Sequence, residues 1–537
     1  MRAPFWLGSV VLFFVAGCGE DSPLEKPEAL SFPASFRFGT ATAGFQVEMG
    51  CPKTAKADCE FPSDWTDYVT RPELVAQKNL YLSGDPPSRG PGFFELYPQD
   101  IARAKQELHS NALRLSIEWG RVFPNPTDGI NGYEALRKAA DPKALAFYHG
   151  VFSALRQNGI KPLATVIHYV LPAWIHDAYG CHTNFAGCKN RGWLDHDRIL
   201  NEAAKYAGFL GREFGAEVDD WATENEPFTA VIIAGYLFQT EQRTHPPAVV
   251  LESDAARAVL NAEIEGHARM YDALKAADTA DADGDGQAAR VGLVYNMEAV
   301  APADPQNEID VSGAKHFDYL LNRVFLNATI RGDLDANLDG KTVHRTDLAG
   351  RMDFLGVNYY ARNVVQGSPK SFLPQLSPLL NFNILTVEYD WNYARGLYEV
   401  LDSVKGFGIP LVVTETGVED ASDSGSAAAW VVRSLTWVSR AIADGIPVEG
   451  YYYWTLMDNY EWNHGMNVKM GLYAVDPNDP QKTRRARRAV PIYGQIAQAG
   501  QIPKELTDQY KEPRDPPHSD GGKTPTAIRI GAAAKAR

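Results

Sequence analysis

Short apolar, β-rich segments recur along the chain at 36–46, 112–119, 161–169, 218–227, 289–297, 353–360, 409–417 and 448–456. Most intervals between them hold a longer stretch with helical spacing of apolar positions: Ile101 to Leu108, Ala144 to Gln157, Arg198 to Phe214, Ala255 to Ala276 and Ala427 to Asp444. Several of the short segments are continuous apolar runs, the pattern of parallel strands covered on both faces. Eight strands with helical crossovers predict an α/β protein, a (β/α)8 TIM barrel in a single domain with long βα loops. A doubly wound open sheet is the alternative. Its dinucleotide-binding form needs Gly-x-Gly-x-x-Gly after the first strand, and the stretch from Gly39 to Gly44 lacks that spacing.

Composition narrows the class without naming a substrate. A chain of 537 residues with 45% hydrophobic and 11% aromatic residues can bury a large core, which excludes a disordered protein. A formal charge of -15 repels phosphate backbones and argues against nucleic acid as a partner.

The N-terminus changes the setting. Arg2, an apolar run from Phe5 to Val15 and the small residues before Cys18 have the form of an export signal, too short to span a bilayer comfortably. The string Val15-Ala16-Gly17-Cys18 resembles a bacterial lipobox. That resemblance implies a lipoprotein-type signal at 1–17, lipid on Cys18, and a cell-envelope enzyme held to a membrane by acyl chains alone. An ordinary signal peptide with a stray cysteine is the rival reading. Residues 18–31 read as a linker, 32–504 as the barrel and 505–537 as a flexible tail. Beyond Cys18 the cysteines are Cys51, Cys59, Cys181 and Cys188, an even set that suggests two disulfides; the local pairing is one of three connectivities, and the sequence does not choose among them. Zinc is the competitor, but neither pair has C-x-x-C spacing.

The chemistry sits at strand ends. The fourth strand closes with Thr223-Glu224-Asn225-Glu226-Pro227 and the seventh with Thr414-Glu415-Thr416-Gly417. Each places a carboxylate where a barrel strand opens into its loop. Two carboxylates on one cavity can cleave a glycosidic bond, one protonating the leaving oxygen and the other attacking the anomeric carbon. These motifs resemble glycoside hydrolase family 1, the β-glucosidase family, whose patterns are Thr-x-Asn-Glu-Pro and Thr-Glu-Asn-Gly; Thr416 departs from the second. The similarity spans roughly residues 32 to 500.

The resemblance implies a retaining exo-β-glycosidase without an organic cofactor, with Glu226 as acid/base and Glu415 as nucleophile. It implies Arg114 and Tyr360 beside Glu415, keeping it ionised. Gln46, His168, Asn225, Tyr360, Trp454, Glu461 and Trp462 are then the substrate contacts. Trp454 offers the ring on which a pyranose face lies. Tyr169 stands where the family has Trp beside His168. An anionic Glu461 disfavours 6-phosphorylated sugars. Glu224 is expected to be a bystander, since alternation along a strand turns it from the side of its neighbours. The partner is therefore a small-molecule or oligosaccharide β-glycoside. A catalytically weak sugar-binding barrel and an endo-acting barrel glycosidase are the alternatives.

A second, weaker pattern is the Asp-x-Asp/Asn-x-Asp-Gly start of a calcium loop, present at Asp281, Asp283 and Asp285 and again at Asp335, Asn337 and Asp339. Neither loop has Glu at the twelfth position; Gly292 and Thr346 fall there. A structural calcium and a plain acidic turn are both open.

Overall fold

The computed structural model describes residues 31–512, apart from 372, 377, 378, 380 and 381, together with the pair 528–529. The expected signal segment 1–17, Cys18 and the linker up to residue 30 lie outside the described residues.

Eight parallel strands close a barrel: β1 Arg37–Ala41, β2 Ala112–Ser116, β3 Lys161–Ile167, β4 Asp220–Asn225, β5 Arg290–Asn296, β6 Phe354–Asn358, β7 Leu411–Thr416 and β8 Val448–Trp454. Each predicted segment contains one of them. β1 pairs with β8 from Arg37 opposite Gly450 to Ala41 opposite Trp454, which completes the ring. Inside it, Ala41, Ala112, Leu163, Ala222, Val294, Phe354, Val412 and Tyr452 pack together, small residues facing large ones. Gly39 has to be glycine, because a Cβ there would stand 2.6 Å from the Tyr452 ring. The bottom of the barrel is closed by ions: Asp220 accepts from Arg37 and lies 3.6 Å from Arg290, which also holds Glu449.

Around the strands run α1 Phe93–Gln106, α2 Pro142–Gln157, α3 His196–Phe214, α4 Ser253–Ala277, α5 Glu308–Asp318, α6 Arg395–Val404, α7 Ser426–Ala443 and α8 Ala489–Ala499. α2 starts where Asp141 caps the amide of Lys143 and Pro142 occupies the first turn. α1 begins well before the expected Ile101, since Pro98 interrupts the apolar spacing without ending the helix.

Two departures shape the upper face. The first predicted strand was read through 46, but Gly44–Val47 is a helical turn, so Gln46 reaches the cavity from a turn. After β4 the chain forms an eleven-residue π-helix, Pro227–Leu237, a wide coil of a kind found near functional sites. A side sheet of Ala299–Pro302, Arg362–Gly367 and Ile384–Asp390, with Ile528–Arg529 at its edge, extends the face beyond β5 and β6.

The disulfides are local, Cys51–Cys59 and Cys181–Cys188, both in loops after strands. Past the expected barrel end at 504 the chain forms a further helix, Lys504–Gln509, with Leu506 buried. The expected tail is therefore folded through its first residues, because an apolar side chain there finds a place in the core. No helix among the described residues is long and apolar enough to cross a membrane.

Candidate active site

The C-terminal ends of β3, β4, β6, β7 and β8 open onto one cavity of about 890 Å³, lined in part by His168, Tyr169, Glu226, Tyr360, Glu415, Trp454, Glu461 and Trp462. Behind Glu415, Arg114 of β2 is fully buried. Its guanidinium donates to Glu415, to Asn225 Oδ1 at 2.7 Å and, through Nε, to Thr165 Oγ1 at 3.1 Å. Tyr360 donates to the other Glu415 oxygen at 2.7 Å. Glu415 thus receives one cation and one phenol, the partners read from the resemblance.

Burial works against those partners. It pushes the Glu415 carboxyl up to about 7; Arg114 pulls it down, the charge of Glu226 raises it, and Tyr360 pulls it down again. Desolvation thus outweighs the stabilisation of the anion expected from Arg114 and Tyr360.

Glu226 is held differently. It sits at φ 45°, a left-handed conformation that is uncommon for residues with a Cβ, just where β4 gives way to the π-helix. Its amide donates to Val294 O at 2.9 Å. One carboxyl oxygen accepts from Asn358 Nδ2 at 2.7 Å, and the other accepts from the Tyr169 hydroxyl. Tyr169 itself has φ 67°, which turns its ring toward Glu226 from the end of β3. Where the family pattern has Trp, this chain therefore supplies a phenol to Glu226. Asn358 also donates to Asn225 at 3.2 Å and accepts from Thr414 at 2.8 Å, tying β4, β6 and β7 together.

The opposite end of the cavity is aromatic and polar. The His168 ring lies between Trp454 and Trp462, 6.0 and 5.8 Å away and nearly parallel to both. Burial, then the Arg114 and Arg243 cations, push the His168 imidazole well down, so it stays neutral. Trp462 is fixed from behind by Phe45, stacked at 5.7 Å, and by Trp65 at 4.7 Å. Gln46 Nε2 donates to Glu461 at 3.0 Å. Burial pushes the Glu461 carboxyl up, and Arg243 opposes that rise. Gln46 Oε1, His168 Nδ1 and Asn225 Nδ2 are buried and have no hydrogen-bond partner among the described residues. Such orphans are what a polyhydroxylated ligand satisfies.

Two residues escaped the sequence reading. Asn358 carries no signal beyond its place in a strand-end motif. Arg243, in the loop after the π-helix, stands 3.8 Å from Glu461 and over Trp462 at 6.0 Å, a cation where none had been placed. Thr416, the departure from the nucleophile motif, turns away and accepts from Trp430 Nε1 at 3.0 Å. Glu224 also points outward, into α4, where it and Glu263 are buried and pushed well up by desolvation.

The model of the glycosyl hydrolase family 1 matches residues 28–502. The β-galactosidase of Pyrococcus woesei is 32% identical over 89% of this chain and 99% of its own length. The chain belongs to glycosyl hydrolase family 1. Among solved structures, the β-glycosidase of Thermosphaera aggregans superposes with a TM-score of 0.75 at 29% identity, covering 90% of this chain and 100% of that one. The Pyrococcus furiosus β-glucosidase gives 0.73 at 27%, covering 90% and 98%. The protein is a family 1 glycosidase, a retaining exo-β-glycosidase acting on β-glycosides.

Both calcium patterns fold as turns closed by their own carboxylates. Asp281 accepts from the amides of Gly284, Asp285 and Gly286, and Asp335 from those of Asp339 and Gly340. Asp219, absent from the sequence pattern, brings a third carboxylate to Asp281 and Asp283, with one oxygen of each within 4.8 Å of the others.

A carboxylate that attacks must be ionised, so activity depending on anionic Glu415 should fall as pH drops through about 7. Tyr360→Phe removes a donor to the anion. It should move this acid limb of kcat/KM upward and lower the rate at pH 6 about tenfold or more, in keeping with about 1.5–3 kcal/mol for a hydrogen bond to a charge. A pH series with an aryl β-glucoside measures both; an unmoved limb refutes the assignment.

Proposed function

We propose that Glu415 is the nucleophile and Glu226 the general acid/base in releasing the terminal β-linked sugar of an unphosphorylated glucoside or galactoside. The supporting observation is the contrast between two carboxyls on one cavity. Glu415 is paired with the Arg114 cation, whereas the direct partners of Glu226 are the neutral donors Asn358 and Tyr169. An attacker benefits from a fixed cation that keeps it charged, whereas an acid needs a site where the protonated form survives.

In the first step Glu415 forms a bond to the anomeric carbon as the glycosidic C–O bond breaks, and Glu226 passes its proton to the departing oxygen. Esterification of Glu415 removes a negative charge near Glu226. The Glu226 carboxylate then takes a proton from water, which attacks the anomeric carbon and frees Glu415. The geometry favours one oxygen for that proton. Asn358 Nδ2 can only donate, so Oε1 of Glu226 remains an acceptor, while the Tyr169 hydroxyl beside Oε2 can donate or accept. Tyr169 therefore holds Oε2 in place whether or not it carries the proton.

Around the sugar, Asn225 Nδ2 is suited to the 2-hydroxyl, a contact that strengthens as the oxocarbenium ion forms. Gln46, His168 and Glu461 suit the remaining hydroxyls, over the Trp454 ring, with Trp462 behind. Glu461 disfavours a 6-phosphate, and the Arg243 charge is already opposed by Glu461. A β-galactosidase and a β-glucosidase among the relatives agree with either neutral sugar.

The setting is a further part of this reading. The export-like N-terminus and two disulfides in loops suit an oxidising compartment outside the cytoplasm. Lipid on Cys18, a barrel over 32–504 and a calcium ion at Asp219, Asp281 and Asp283 complete it.

Glu415→Ala should reduce turnover of an aryl β-glycoside to background. Glu226→Ala should lose about 10²–10⁴-fold and recover with azide to yield a β-glycosyl azide. Tyr169→Phe should lower kcat for an aryl β-glycoside several-fold or more, since Oε2 of Glu226 loses the hydroxyl that holds it. Full activity in Glu415→Ala would overturn the roles. Calcium should raise the melting temperature of the parent and not of Asp283→Ala; an unresponsive parent rules the ion out. Expressed in a bacterium with lipoprotein processing, the parent should incorporate labelled palmitate and Cys18→Ala should not, and an unlabelled parent rules out the anchor.

A further inference from the structure

The cavity does not end at the sugar-binding side. Beyond Glu226 it continues along Phe228 and Ile232 of the π-helix, Phe317 of α5 and Leu320 in the turn after it, and Val387 and Trp391 at the side sheet. This wall is built from elements that the barrel does not require: the π-helix, α5 and the hairpin of Arg362–Gly367 with Ile384–Asp390. Phe228 and Ile232 lie four residues apart on a helix that is apolar in most positions, and both line the cavity. Trp391 is 45% exposed, with its ring stacked on Tyr389 at 5.4 Å.

A second sugar ring would bring several hydroxyls against this wall, and each one buried without a partner costs about 1–3 kcal/mol on mutational scales. Few buried polar groups are there to meet them; Glu241, Asn392, Glu419 and Ser426, which also line the cavity, are exposed, and Thr240 and Gln242 are half-buried. Asn296 already donates to Thr229, and Glu298 accepts from the Ala361 amide. That leaves Asn296 Oδ1 and Asn363 Oδ1 as buried acceptors with no partner among the described residues. Two acceptors suit a skeleton carrying one or two hydroxyls, and aliphatic and aromatic walls suit the rest of it.

We propose that the preferred leaving group is a bulky apolar alcohol or phenol, an alkyl or polycyclic aglycone, and not a second sugar. The inference rests on the proposed role of Glu226, because the wall begins at the carboxyl that protonates the leaving oxygen. In that step the glycosidic C–O bond breaks, the proton of Glu226 goes to the aglycone oxygen, and the neutral alcohol departs along the apolar wall.

The test compares leaving groups on one glycone. Octyl β-glucoside, methyl β-glucoside and cellobiose are assayed with the parent protein, with the galactoside counterparts alongside, and the better-cleaved glycone is scored. kcat/KM for the octyl compound should exceed both others at least about tenfold, well under the ceiling for seven buried methylenes. A smaller ratio overturns the proposal. Ile232→Asn and Leu320→Gln should each lower the octyl-to-methyl ratio, and an unchanged ratio in both also overturns it. The parent series stands by itself should either variant misfold. Failure of the hydrolase reading would look different: no p-nitrophenyl β-glycoside would be turned over. The aglycone proposal is then judged by calorimetry, where octyl 1-thio-β-glucoside should bind at least about tenfold more tightly than its methyl counterpart, and equal binding rejects it.

Discussion

The upper half of this barrel is organised by one buried cation. Arg114 has no exposed surface, and a guanidinium in that position survives only when its donors are met by an anion and by fixed acceptors. Glu415 supplies the anion, while Asn225 and Thr165 supply the acceptors, so a side chain from β2 reaches partners on β3, β4 and β7. The requirement is reciprocal. Glu415 would be a costly isolated charge without Arg114, and Asn225 is oriented by Arg114 and Asn358 together, which turns its Nδ2 toward an unfilled role. The cross-strand register is thus coupled to the chemistry: a slip of one residue at β2 or β7 would leave two buried charges unpaired.

Against that fixed pair, the second carboxyl is kept apart by backbone conformation. Left-handed φ values at Tyr169, Glu226 and Trp462 turn three side chains at strand and loop ends onto one cavity. A residue with a Cβ persists in such a conformation only when its surroundings over-determine it. The amide bond to Val294, the Asn358 amide and the Tyr169 phenol do so for Glu226. The Tyr at position 169 is thus a local change with a defined partner: it keeps an aromatic ring against Trp462 at 4.8 Å and adds a hydroxyl where an indole would offer none. Catalytic geometry and sugar recognition share this corner. Tyr169, the phenolic partner of the proposed acid/base, and the stacked His168 meet Trp462 there, whose position is set by Phe45 and Trp65 in the core.

Strand order, the two carboxylates and the family were legible because each is encoded locally. Apolar runs of strand length mark β1 to β8, and a Glu at the end of a run marks a residue at the cavity mouth, since the C-terminal ends of barrel strands share one face. Alternation sets Glu224 opposite Asn225, outward against Glu263, and would carry Glu226 outward too; the left-handed backbone at Glu226 is what turns that carboxyl to the cavity. The π-helix escaped notice because Pro227–Leu237 is apolar at nearly every position, so it has no periodicity to read. Arg243 escaped because a loop cation has no pattern; only folding brings it within 3.8 Å of Glu461.

By itself, then, the sequence determined the barrel, its long βα loops and the place of Glu226 and Glu415 at strand ends, and its family resemblance put Arg114 and Tyr360 beside Glu415. Tertiary structure alone decided three things. It showed that burial lifts Glu415 to about 7 in spite of its cation, since desolvation depends on everything packed around a group. It gave Tyr169 to Glu226, because that bond depends on the left-handed backbone of both residues. It also built the apolar half of the cavity from a π-helix, the end of α5 and a hairpin edge far apart in the chain. Local spacing can say which side chains leave a strand on one face; only the closed ring of strands fixes which of them meet.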